Sequence, residues 1–115
     1  MLVPGLGGHV EKTWQSRKDG TLWPRDLLPS QIPNARVLGF NYNTTLKGTA
    51  GNSGIRSHAE GLMMRLFEDR YDTVDKTRPL VFVGHNLGGL IIKQVRCIQA
   101  GVGWNPDHIA SFRPL

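Results

Sequence analysis

The sequence predicts an α/β fold built on a parallel sheet, and three observations carry that prediction. Short apolar, partly β-branched runs recur at Met1-Leu2-Val3, Arg36–Tyr42 and Leu80–Val83. Two longer stretches, Ile55–Tyr71 and Leu87–Ala100, place apolar residues at helical spacing. The resulting order of strand, loop, strand, helix, strand, helix belongs to a sheet of parallel strands with flanking helices.

The elements follow in chain order. Met1-Leu2-Val3 reads as the tail of a strand that runs into a glycine-rich loop, Pro4-Gly5-Leu6-Gly7-Gly8-His9. Trp14 and Trp23 bracket a polar, turn-like stretch and read as packing residues. Pro24 suits the first turn of a short helix, Arg25–Leu28, which Pro29 and Pro33 should end. The imperfect alternation of Arg36–Tyr42 is expected of a strand covered on both faces. Asn43–Gly54 reads as a loop. In the first long helix, Ile55, Ala59, Leu62 and Leu66 form an apolar stripe that Met63 and Phe67 widen. Ser57 and Glu60 have capping-box spacing, with Ser53 an alternative start. Asp72–Pro79 is a polar link to the third strand. Leu87, Leu90, Ile91, Val95 and Ile98 should be the buried face of the second long helix, which Gly101 and Gly103 stop. Trp104–Ile109 reads as a turn with at most one turn of helix.

At 115 residues the chain is one domain or part of one, long enough for a modest core. The single cysteine, Cys97, excludes an internal disulfide and a cysteine-based zinc site, and fits a reducing, intracellular setting, with the cytoplasm expected. No apolar run reaches membrane-spanning length, so no transmembrane segment is expected. The net charge is +5, but Lys and Arg are scattered without a basic stripe interleaved with aromatics, so nucleic acid is not an expected partner. None of the four histidines has metal-ligand spacing with a carboxylate or with Cys97, and neither a metal nor a cofactor is expected.

The most informative stretch is Val81-Phe82-Val83-Gly84-His85-Asn86-Leu87-Gly88-Gly89-Leu90. A strand, a sharp turn and a helix, with glycine two places before and after the central residue, is the nucleophile-elbow pattern G-x-S-x-G. Gly84 and Gly88 are the elbow glycines, because side chains there would collide with the turn or with the helix packing back on the strand. The helix N-terminus adds free N–H groups and a partial positive charge above the bend. The central residue, however, is Asn86. A carboxamide is a poor nucleophile that no neighbouring base can activate, yet asparagine tolerates positive φ. The expected outcome is an elbow that keeps its geometry and loses its chemistry.

Taken together these segments resemble the front half of an α/β-hydrolase domain, that is, a partial α/β-hydrolase fold with a three-stranded parallel sheet and flanking helices over residues 1–115. More closely, they resemble the lipase-like serine-esterase modules at the heads of some fungal multidomain proteins, and the serine-active-site-containing proteins linked to phospholipid remodelling. The matching residues are Gly5–His9, Thr13-Trp14, Leu22–Pro29, Asn34–Val37, His58–Glu60 and Gly84–Leu90. The resemblance implies an oxyanion hole lined by the backbone N–H groups of Leu6 and Leu87. It also implies an ester or lipid substrate for the parent family, and allows mitochondrial or endoplasmic-reticulum association. Three departures bear on activity. Pro4-Gly5 stands where the family carries His-Gly, Asn86 stands at the nucleophile position, and the family's acid and histidine are expected beyond the region covered.

The leading expectation is therefore a truncated, catalytically inactive serine-esterase-like domain. The alternatives are a non-enzymatic binding or interaction module, and part of a longer carboxylic-ester hydrolase. Deamidation of Asn86 would create an aspartate nucleophile, but Asn-Leu is a slow context for that reaction. His9 and His85 are read as structural, and His58 and His108 as facing solvent or capping local structure. The third strand, lacking a further neighbour, should present an open sheet edge to a protein partner.

Overall fold

A two-stranded parallel ladder forms the centre of the computed structural model. The structure describes residues 1–45, 52–71 and 79–101. Strand β1 (Leu2–Val3) pairs in parallel with β2 (Val83–Gly84), with Leu2 opposite Val83 and Val3 opposite Gly84. The Met1 and Val3 carbonyls accept from the N–H groups of Val83 and His85 at 2.9 and 3.0 Å. The Met1 nitrogen donates to the Val81 carbonyl at 2.7 Å.

The fold is mixed helix and strand around a small parallel sheet, with two strands where three are expected among these segments. The segment Arg36–Tyr42 contributes a single parallel bridge, Gly39 to Leu2. There, Leu2 donates to Leu38 at 2.7 Å and Phe40 donates to Leu2 at 2.9 Å. A partner strand of two residues supports no longer ladder. Val10 also packs so closely on Gly39 that a Cβ there would strike its Cγ2 methyl. Nor is the segment covered on both faces. Leu38, Phe40 and Tyr42 turn to the core while Val37 is 39% exposed. The third strand is shifted as well. It begins at Val83, leaving Leu80 and Val81 outside the ladder, Val81 at 60% exposure.

The N-terminal helical region also departs from expectation. A 3-10 turn (Lys12–Trp14) is followed by two single-turn helices, α1 (Trp23–Asp26) and α2 (Leu28–Gln31). Pro29 does not end a helix but sits in the first turn of α2, where its missing N–H has no helical carbonyl to lose. Asp26 reaches back to accept from the Leu22 N–H at 2.8 Å, which pins the start of α1.

The long helices are α3 (Asn52–Tyr71) and α4 (Leu87–Ala100). Because α3 starts at Asn52, Ser57 and Glu60 lie inside it and form no capping box. Glu60 instead pairs with Arg56 at 2.9 Å. Gly101, at φ 64°, closes α4 by donating to the carbonyls of Cys97 and Ile98.

The helices pack on each other, and α4 packs on both strands. Met1, Val3 and Phe40 meet Ala59, Leu62 and Leu66 of α3 and Ile91, Ile92 and Val95 of α4 in one core. Phe67 and Leu90, expected inside, are 66% and 42% exposed, whereas Ile92 is buried. Cys97 is buried. The expected turn at Trp104–Ile109 and most of the link Asp72–Pro79 lie outside the described residues.

Leu62 is wholly buried between sheet and helices, so Leu62→Ala should cost about 2–5 kcal/mol in urea unfolding. On its side away from β1, β2 has no strand partner among the described residues. Light scattering should therefore show concentration-dependent self-association that Val81→Lys reduces. A monodisperse monomer would count against an adhesive edge.

Candidate functional site

Parallel pairing sends β1 and β2 out of the sheet at the same end, so the loop after β1 and the turn after β2 emerge side by side. In open α/β sheets this carboxyl end is where ligands bind. The β1 loop is Pro4–His9 and the β2 turn is His85-Asn86.

Among the described residues, Asn86 is the one non-glycine residue with positive φ, at φ 51° and ψ −120°. It is the N-cap of α4, but its side chain caps nothing, so the carboxamide stays exposed on the bend. The Gly88 and Gly89 N–H groups bond back to the carbonyls of His85 and Asn86, each at 3.0 Å. The Leu87 N–H has no acceptor within the described chain, as befits the first residue of a helix.

The glycines around the bend mark backbone approaches that no side chain permits. A Cβ on Gly84 would come within 2.7 Å of the Gly89 nitrogen. A Cβ on Gly88 would strike the Val3 carbonyl oxygen and lie 2.7 Å from that of Pro4. A Cβ on Gly5 would lie 2.7 Å from the Asn86 Cβ. The two loops are thus in direct contact, with α4 docked under the end of β1.

Within the β1 loop most backbone groups are committed. Gly8 donates to Gly5 at 2.9 Å and Gly7 donates to Thr44 at 2.8 Å. The Pro4 carbonyl accepts from the Tyr42 hydroxyl at 2.6 Å, and that of Gly8 from the Thr44 hydroxyl at 2.9 Å. The Leu6 N–H finds no acceptor among the described residues. Leu6 and Leu90 stand exposed on the two elements that meet at Asn86.

The described histidines, His9, His58 and His85, each have partners of their own. The His9 Nδ1 accepts from the N–H groups of Glu11 and Lys12 at 3.1 and 3.4 Å and so holds the 3-10 turn. The His85 ring meets the buried Trp14 edge-on at 6.3 Å, and Trp14 meets Trp23 likewise at 6.4 Å. The tryptophans therefore pack, and Trp14 walls an open groove of about 550 Å³ shared with Asp19 and Leu27. His58, expected toward solvent, lies half-buried against Tyr42 at 4.7 Å. His108 and Asp107 lie outside the described residues. Among those residues no three of His, Cys, Asp and Glu are placed to hold a metal ion, and no helix is long and apolar enough to cross a membrane.

With this geometry in place, comparison with known proteins gives one group of relatives. The chain is 28% identical over 113 residues to Protein SERAC1 of Danio rerio. It is 26% and 24% identical over 115 residues to the proteins of that name in Bos taurus and Mus musculus. In each case the match covers 83% of this chain and 17% of the relative, so the chain spans a small part of the length of the curated relatives it matches. No family model matches the chain, and no solved structure does. These relatives support a hydrolase-like relationship.

Sequence reading singles out Leu6 of the β1 loop, together with Gly84, Asn86, Leu87 and Gly88, which run from the end of β2 through the turn into the first turn of α4. It missed Tyr42 and Thr44, which bind the β1 loop from a distant segment. The available signal was the spacing of Leu38, Phe40 and Tyr42, which puts all three on one face.

Two substitutions test the bend. Asn86→Gly removes the positive-φ penalty and, after the entropy cost of glycine, should stabilise the chain by a few tenths to about 1 kcal/mol in urea unfolding. Gly88→Ala drives a methyl into immovable backbone and should destabilise it by roughly 1–3 kcal/mol.

Proposed function

We propose that this chain is a lipase-like α/β-hydrolase element that binds an ester carbonyl or oxyanion at the Asn86 turn without cleaving it. One observation carries the reading. Asn86 sits at φ 51° and ψ −120° between β2 and α4, with Gly5 of the neighbouring loop closed against its Cβ. In a hydrolase of this kind, a hydroxyl at that position attacks the carbonyl while two backbone N–H groups receive the developing oxyanion. Here the donors would be the N–H groups of Leu6 and Leu87, both free of acceptors within the described chain. Gly84 and Gly88 allow the close packing around the bend, and Leu6 and Leu90 offer apolar contact to an acyl chain.

Catalysis is where this element would depart from a working serine esterase. The Asn86 carboxamide has no proton that a base can remove to make a nucleophile, so acyl transfer stops at binding. The similarity to SERAC1 supports an ester or lipid as the ligand class, and is compatible with the element forming part of a longer carboxylic-ester hydrolase. A second reading, an interaction module, is favoured by the side of β2 that has no strand partner among the described residues and by the exposed Val81 beside it. It does not compete with carbonyl binding, because the edge and the turn are different surfaces.

Three measurements test the reading. p-Nitrophenyl butyrate should be hydrolysed no faster with the chain than without it. A fluorophosphonate should leave no adduct on residue 86. Millimolar n-butylphosphonate should shift the Leu6 and Leu87 amide resonances of the ¹⁵N-labelled chain. Ester turnover, or a covalent adduct on Asn86, would overturn the proposal of an unreactive elbow, and two unmoved amides would overturn carbonyl binding.

A further inference from the structure

We propose that Tyr42 and Thr44 are positioning residues for this site, forming a strap that fixes the direction of the Leu6 N–H. The inference rests on the carbonyl-binding reading and extends it to a segment that does not itself reach the ligand.

The strap holds the β1 loop at both ends. At the near end the Tyr42 hydroxyl donates to the Pro4 carbonyl at 2.6 Å. At the far end Gly7 donates to the Thr44 carbonyl at 2.8 Å, and the Thr44 hydroxyl donates to the Gly8 carbonyl at 2.9 Å. Leu6 lies between the two clamps. A peptide unit is planar, so fixing the Pro4 carbonyl also fixes the Gly5 N–H in the same plane. Fixing the Gly7 N–H likewise fixes the Leu6 carbonyl. The Leu6 N–H shares its plane with the Gly5 carbonyl, which accepts from the Gly8 N–H at 2.9 Å, and the strap holds the peptide planes on either side of that one.

The strap is itself anchored. The Tyr42 ring stacks on the buried Phe40 at 5.4 Å and 17°, and packs against His58 of α3 at 4.7 Å. Burial raises the Tyr42 pKa, so the phenol stays a donor at neutral pH. Pro4 is fully buried and has no N–H of its own, so the loop can be gripped there only through its carbonyl. A donor aimed before the ligand arrives costs no reorganisation on binding, which is the advantage of a preorganised site.

Tyr42→Phe and Thr44→Val each delete a single hydroxyl and keep the shape of the side chain. In the ¹⁵N-labelled chain titrated with n-butylphosphonate, each should weaken the response at Leu6 about three- to tenfold, as loss of one orienting hydrogen bond implies. The Leu87 amide should still respond, because the N-terminus of α4 does not depend on the strap. A purely structural role would lower the urea midpoint while leaving the ratio of Leu6 to Leu87 responses unchanged. That unchanged ratio overturns the positioning role and leaves carbonyl binding standing. Failure of both amides to respond in the unaltered chain overturns carbonyl binding, and the strap with it.

Discussion

The arrangement of this chain depends on the register between β1 and β2. Two residues pair on each strand, and the bond from the His85 N–H to the Val3 carbonyl closes the ladder just before Asn86. A shift by one residue would turn Val3 out of the core and carry the glycine loop away from the turn. The ladder is short, but what lies beneath it is specific. Gly88 lets the first turn of α4 slide under the Val3 and Pro4 carbonyls, and Gly84 admits Gly89 against the end of β2. Sheet pairing and helix docking thus select the same register, each through backbone contacts that tolerate no added carbon.

That double constraint explains how a strained residue persists. A non-glycine residue at positive φ costs on the order of 1–3 kcal/mol, and such conformations survive where the surroundings over-determine them. Asn86 is held by a ladder bond at the residue before it and by α4 starting at the residue after it. Asparagine is among the residues that bear this conformation best. Bend geometry and bend chemistry are therefore separable. The backbone can present any short side chain at the bend, while only a hydroxyl, a thiol or a carboxylate there could attack.

What could be read from the sequence was what is decided locally. The span of α4 was legible because its start is a glycine-flanked bend and its end a glycine at φ 64°. The bend at Asn86 between strand and helix is legible for the same reason. The segment Arg36–Tyr42 was not, because whether an apolar run becomes a strand depends on the length of its partner, and β1 offers two residues. Phe67 and Leu90 were assigned to the core from periodicity alone, and periodicity does not say where the facing surface stops. Pro29 was read as a helix breaker when it opens a new turn, a difference set by one residue of phase. Tyr42 and Thr44 escaped notice because their role consists wholly of contacts with residues some forty positions earlier.

Proline at position 4 gives those distant contacts their weight. A loop that begins with proline has lost an N–H by which a neighbouring strand might hold it, and this one is held mainly by its carbonyls. Those of Val3, Pro4, Gly5 and Gly8 accept from His85, Tyr42, Gly8 and Thr44 in turn. Of its N–H donors, those of Gly7, Gly8 and His9 are bonded to Thr44, Gly5 and Thr13, while those of Gly5 and Leu6 have no acceptor among the described residues. Exposed backbone N–H groups are ordinary on a protein surface, where water satisfies them. The binding proposed above asks only for such an N–H held in place near a helix N-terminus. It asks for no nucleophile, because none of the groups it draws on belongs to the side chain of residue 86.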